Sequence, residues 1–357
     1  MAYVKVDKVA FRGISGCVPS QIEENIKLPF YSSKEEAEQV IAATGIERRH
    51  VSPKEITASD LCLKAAEKLI EELGWEKDSI DLLAFCTQTA DYLNHPNSFV
   101  VHEKLGLKES TMCLDFYHGC PGWVVSLSAV AQLVSGGAIK RAILLDGDTV
   151  SKVMNAQNRE ERPLFGDAGT ATALEYDEQA TSMFFNIGTK SDDGVAIASV
   201  DGGFRNPFTI DTLTKRLKSI EGILPMEEVT SKMDSMDVFS FAITKVPKAI
   251  KKLCSEFNID IETVDNLALH QANKVIIDNI AKRLKMPKEK VLIGLRNYGN
   301  TTSASIPMAL ISERNNILSK ELQKNLVCGF GTGLAWGAAY FETDKIICPK
   351  IIEIKNV

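Results

Sequence analysis

Residues 113–137 read CLDFYHGCPGWVVSLSAVAQLVSGG, and both the fold and the chemistry turn on them. CLDFY reads as a short apolar strand, His118-Gly119 breaks it, and the run from Pro121 to Gly137 carries a predicted helix. Cys120 therefore falls at a helix N-terminus, where unpaired N–H groups and the positive end of the macrodipole lower a thiol's pKa and favour a thiolate nucleophile. The flanking glycines leave room for a substrate carbonyl. A free cysteine is otherwise a small buried hydrophobe. That reading suits Cys17, Cys62, Cys86, Cys113, Cys254, Cys328 and Cys348, which form no C-x-x-C pair and no metal-site spacing.

With 357 residues and 45% hydrophobic content, the chain can bury one large core or two packed half-domains. MAYVKVDKVAFRG carries charge where a signal peptide needs an apolar stretch. No run approaches the roughly 18 apolar residues of a membrane span, so a cytoplasmic protein without a membrane partner is expected. The cysteines then fit reduced thiols better than a disulfide framework. A net charge of −6 without a basic, aromatic-laced stripe argues against nucleic acid as a partner. One local basic face stands out in a predicted helix over 239–257. There Lys245, Lys248, Lys251 and Lys252 lie roughly opposite Phe239, Ile243, Val246, Ile250 and Leu253. Lys215, Arg216 and Lys218 form a second cluster; each is either a solvated face or a dock for an acidic partner.

Two halves of the chain echo each other. IDLLAFCTQTAD (80–91) follows a helical stretch with apolar Leu61, Ala65, Leu69 and Leu73, and VDNLALHQAN (264–273) follows the helix over 239–257. Aligning Asp81 with Asp265 sets Cys86 opposite His270. Next, CLDFYHGCPGWVVSLSAV is answered by IGLRNYGNTTSASIPMAL (293–310), both read as strand, tight turn and helix, with Gly119-Cys120 opposite Gly299-Asn300. The strand RAILLDGDT (141–149) is answered by NLVCGFGTG (325–333). The order is kept at offsets of roughly 180 residues, which predicts a duplicated α/β unit whose equivalent loops bring Cys120, His270 and Asn300 to one cleft.

Locally, His270 reads equally as a satisfied core histidine, and Asn300 as a helix N-cap. Together with a thiol they make one nucleophile and two hydrogen-bond donors for a developing negative oxygen. There is no H-E-x-x-H, P-loop or G-x-G-x-x-G, and no metal set. Gly329-Phe330-Gly331-Thr332-Gly333 has the wrong spacing for a dinucleotide loop, yet it lets backbone N–H groups approach a substrate oxygen and complete an oxyanion hole.

Six ordered segments resemble the thiolase superfamily, and most closely its β-ketoacyl-acyl carrier protein synthase III branch: TGIERRH (44–50), the HGCPGW region, LFGDAGTA (164–171), HQAN (270–273), NYGNTTSASIP (297–307) and GFGTGLAWG (329–337). The resemblance implies an α/β, five-layered αβαβα fold and a homodimer. Its halves would be 1–180, bearing the cysteine, and 181–357, bearing the histidine and asparagine. It also implies a Cys120-His270-Asn300 triad. Cys120 would take an acyl group from a thioester, commonly acyl-CoA. The acyl-enzyme would condense with malonyl-acyl carrier protein, while His270 and Asn300 hold the enolate formed as CO₂ leaves. The Cys120 N–H, with one from Gly331-Thr332, would hold the acyl-transfer oxyanion, and Phe330 would wall the site. No permanently bound cofactor is implied, only the phosphopantetheine thioesters of CoA or carrier protein as substrates.

The chain departs from that branch at several places. Val40 and Ile41 stand where an adenine-stacking tryptophan is common. Val275 stands where a carrier-docking base is common, which moves that role to Lys274 or to Lys245, Lys248 and Lys252. His95 stands in a region that in the branch contributes across the dimer to the acyl pocket, where a phenylalanine is common, and points to a more polar acyl group. The segment 204–236 is elongated, which suggests a cap over the entrance and a specialised paralogue. Two other readings keep the fold: acyl transfer to a non-malonyl nucleophile, and a non-catalytic partner subunit. Glu103 is the nearest acidic candidate for a hydroxymethylglutaryl-CoA synthase-like acid/base.

Overall fold

The computed structural model describes residues 2–154, 158–190, 197–199, 201–220 and 231–355. Two sheets form its frame. The six-stranded one has the order β15 (Ile352–Ile354), β2 (Val9–Pro19), β8 (Ala168–Tyr176), β7 (Arg141–Asp148), β5 (Leu82–Cys86), β6 (Met112–Phe116). The five-stranded one has the order β1 (Ala2–Val6), β9 (Met183–Thr189), β14 (Ala335–Asp344), β13 (Leu322–Gly331), β12 (Asn266–Leu269). β3 (Ile22–Glu24) pairs with β4 (Arg48–His50), and β10 (Ile197–Ser199) with β11 (Ser231–Met233). The helices are α1 (Lys34–Thr44), α2 (Ala58–Leu73), α3 (Asn97–Leu105), α4 (Gly122–Ser135), α5 (Ile210–Ile220), α6 (Ser235–Glu256), α7 (Lys274–Leu284), α8 (Leu295–Tyr298) and α9 (Ser305–Leu318).

The alternation of each strand separates three apolar layers. Leu83, Phe85, Ile143 and Leu145 face α2 and α3, while Leu82, Ala84, Ala142 and Leu144 face α4. In the other sheet Val327, Ala339 and Phe341 face α4 and α9, whereas Leu326, Cys328 and Ala338 face α6 and α7. A strand buried on both sides has no polar face, so β5 reads LLAFC without alternation. The helix–sheet–helix–sheet–helix order makes α4 and α9 the central layer. α4 must then be apolar nearly all round, and Trp123, whose Nε1–H donates to Thr172 Oγ1 at 3.0 Å, is completely buried. α2 starts on a capping box of Thr57 and Asp60 and ends at Gly74, whose φ of 63° suits glycine.

The internal echo is visible in the pairing. β5 runs parallel to β7 and β7 antiparallel to β8, as β12 runs parallel to β13 and β13 antiparallel to β14. Two features differ from the expectation. β1 pairs with β9 in the second sheet and β15 with β2 in the first, so each half of the expected 1–180 and 181–357 division lends its terminal strand to the other's sheet. The expected strand before Asn300 is reduced to a bridge between Leu267 and Val291 followed by α8, because Gly294 and Gly299 break the segment. Of the elongated segment 204–236, residues 204–220 with α5 and 231–236 with β11 are described, and 221–230 lie outside the described residues.

Candidate active site

Cys120 sits two residues before the first turn of α4, in a turn closed by the Gly122 N–H donating to the Gly119 carbonyl at 2.6 Å. The end of β13 lies directly against its thiol. A Cβ at Gly331, whose φ is 151°, would come within 2.8 Å of Cys120 Cβ and 2.9 Å of Sγ, so only glycine admits the nucleophile here. The expected depressed thiol pKa is not what this environment produces. Burial pushes Cys120 up to about 12, aided by the field of Asp148, and outweighs the Thr332 and Cys120 N–H groups and the Thr332 hydroxyl that favour the thiolate. The same N–H groups remain available to an oxygen bonded beside Sγ.

His270 follows β12, and its Nδ1 lies 2.7 Å from Ser305 Oγ at the start of α9. Burial pushes the imidazole down to about 3, so the ring is neutral at ordinary pH, with only the Thr302 carbonyl favouring its charged form. Phe330 meets the ring edge to face, centroids 5.3 Å apart. Asn300 does not cap α9. Its Oδ1 accepts the Thr302 N–H at 3.0 Å, which turns its amide donors the other way. An unbroken run of neighbours thus links Cys120 to Gly331 and Phe330, Phe330 to His270, and His270 to Ser305 and Thr302, beside Asn300.

The other candidate residues lie on the surface of the single chain. His95 is exposed, stacked edge-on with Tyr92 and Phe99. It shares a depression of about 500 Å³ with Tyr92, Asn94, Val100, Glu103 and Lys104, which includes none of the three residues of the set. Glu103 is exposed on α3. Lys245, Lys248, Lys251 and Lys252 are exposed along α6, and Lys274 pairs with Asp278 at the start of α7. Sequence reading missed Asp148, Gln88 and Thr302. Gln88 presses its carboxamide on Gly119, and Thr302 holds a φ of 50°, rare for a β-branched residue. Only Asp148 left a signal, as an acid in the otherwise apolar strand RAILLDGDT.

This geometry meets independent likeness to known proteins. Family models for 3-oxoacyl-[acyl-carrier-protein] synthase III match residues 114–192, and for its C-terminal part residues 254–343. The β-ketoacyl-[acyl-carrier-protein] synthase III of Clostridium perfringens is 33% identical over 326 residues, 91% of this chain and 96% of the relative. This chain belongs to the β-ketoacyl-[acyl-carrier-protein] synthase III family. A synthase III from Streptococcus equi is 32% identical over 342 residues, covering 95% and 98% of the two chains. The crystal structure of a 3-oxoacyl-(acyl-carrier protein) synthase from Burkholderia xenovorans matches at a TM-score of 0.90 and 31% identity, across 99% of each chain. The five-layered thiolase-like architecture expected from the motifs is therefore the fold of this synthase III family member. Among the described residues no helix is long and apolar enough to cross a membrane, and no group of His, Cys, Asp or Glu could hold a metal ion.

Proposed function

We propose that this synthase III family member catalyses decarboxylating Claisen condensation of an acyl thioester with a malonyl thioester, giving a 3-oxoacyl product. The observation that carries the reading is the placement of one half-buried thiol against two backbone N–H donors, with a neutral imidazole and an oriented amide around the corner of Phe330. Cys120 Sγ attacks the thioester carbonyl, its proton departs with the leaving thiol, and the Cys120 and Thr332 N–H groups hold the oxyanion. In the second half-reaction the malonyl C–CO₂ bond breaks, and the electron pair forms an enolate whose oxygen takes hydrogen bonds from His270 and Asn300. The enolate carbon attacks the acyl carbonyl and Cys120 leaves as thiolate, to be reprotonated. In the tautomer in which Ser305 donates to Nδ1, the neutral ring presents Nε2–H to the enolate. Phe330 excludes water and favours conversion of a carboxylate to CO₂.

The donor is an acyl-CoA or an acyl carrier protein, and the acceptor malonyl-acyl carrier protein. The unpaired lysines of α6 are a fitting dock for the acidic carrier, and the cytoplasm is the fitting compartment. β6 is an edge strand flanked by exposed Leu93, Phe99, Met112 and Tyr117, which supports a homodimer formed through that edge. Incubation with a panel of acyl thioesters is expected to add one acyl mass to the protein and none to Cys120→Ser. Malonyl carrier protein is then expected to release CO₂ with wild-type protein and not with His270→Ala or Asn300→Ala. An adduct persisting in Cys120→Ser, or normal decarboxylation by His270→Ala, sinks the assignment. Acylation with no CO₂ release points instead to transfer onto a non-malonyl nucleophile.

A further inference from the structure

β7 ends in LLDGD, and both of its acids are completely buried between the halves. They are treated differently. Asp146 has only Cys86 and Ser126 beside it among the described residues, and burial pushes its carboxyl well above the usual range. Asp148 is saturated with donors instead. Its Oδ1 accepts from Thr87 Oγ1 at 2.9 Å, the Gln88 N–H at 2.8 Å and Thr89 Oγ1 at 3.1 Å. Its Oδ2 accepts from Ser303 Oγ at 3.0 Å and from Thr302 Oγ1. Three donors come from the loop after β5 in the first half, and two from the segment after Asn300 in the second. No lysine or arginine pairs with it among the described residues, so hydrogen bonds alone hold this acceptor.

Thr302 is where that anchorage matters. At a φ of 50° a β-branched residue is strained and persists only where its surroundings over-determine it. Its hydroxyl is tied to Asp148, its N–H to Asn300 Oδ1, and its carbonyl sits against the His270 ring. We propose that Asp148 is a positioning residue that locks Thr302 in this left-handed conformation and thereby aims Asn300 and His270 at the malonyl enolate. The inference rests on the condensation reading above. The N–H groups beside Cys120 belong to the α4 turn and the β13–β14 turn, which Asp148 reaches only through Gln88 against Gly119, so the acylation half-reaction is expected to lose less than decarboxylation.

The test separates the two half-reactions in the full chain, using acetyl-CoA or the acyl thioester that best loads wild type, and malonyl-acyl carrier protein as the source of CO₂. For Asp148→Ala the expected fall is about 100-fold or more in CO₂ release, against less than about tenfold in the rate of acyl-adduct formation. Asp148→Asn keeps the shape, so it serves if the alanine variant does not fold, and the same split is expected in it, smaller in size. Adding Thr302→Gly, which adopts positive φ without strain, is expected to restore decarboxylation to Asp148→Asn. Decarboxylation at the wild-type rate in both Asp148 variants, or equal losses in both half-reactions without rescue by glycine, overturns the inference. Wild-type protein that acylates but releases no CO₂ overturns the condensation reading instead, and this inference with it.

Discussion

At the scale of single residues, burial rather than the helix N-terminus sets the resting state of the site. Cys120 is stored as a thiol and His270 as a neutral ring, and both desolvation costs are carried by the folded protein. The histidine has a measurable consequence. Its folded pKa is about 3 and its ordinary value about 6.5, so below the ordinary value the unfolded chain binds a proton that the folded one refuses. Its contribution is therefore neutral above about pH 6.5 and costs about 1.4 kcal/mol per pH unit as pH falls towards the folded value. His270→Asn is expected to gain stability relative to wild type at pH 5 compared with pH 8, read from urea denaturation at both. An unchanged difference between the two pH values shows that His270 does not carry this linkage.

Among the elements, α4 does two jobs. Its first turn presents Cys120, and its body fills the layer between the sheets, where Trp123, Leu127, Val130 and Val134 are fully buried. Leu127→Ala leaves a cavity that neither sheet can close, and a loss of about 2–5 kcal/mol is expected in the free energy of unfolding. A loss well under about 1 kcal/mol means that the layer repacks. The helices over 58–73 and 235–256 were legible because an apolar stripe of period 3.6 is local information. The segment 291–300 was not, since a run such as VLIGLRNYGN suits a strand or a short helix, and its neighbours choose.

For the molecule as a whole, the edge of the six-stranded sheet leaves large apolar side chains uncovered. Leu93 is 86% and Tyr117 80% exposed beside β6, which ends the sheet. Light scattering is expected to give twice the chain mass for wild type, and Leu93→Glu to shift the protein towards monomer. A wild-type monomer removes the support for a shared edge.

The sequence by itself determined the duplicated plan, the candidate nucleophile at the end of β6 and the family, because strand-turn-helix punctuation and motif order are written along the chain. It also carried His270 and Asn300, each at the matching place in the second half. Tertiary structure alone decided the exchange of β1 and β15 between sheets, since a short alternating strand pairs equally well with either edge. It alone decided the direction of the Cys120 shift, which depends on how completely water is excluded. It alone joined Asp148 to Thr302 across 154 residues, since five donors converge on one buried carboxylate only after both halves have packed.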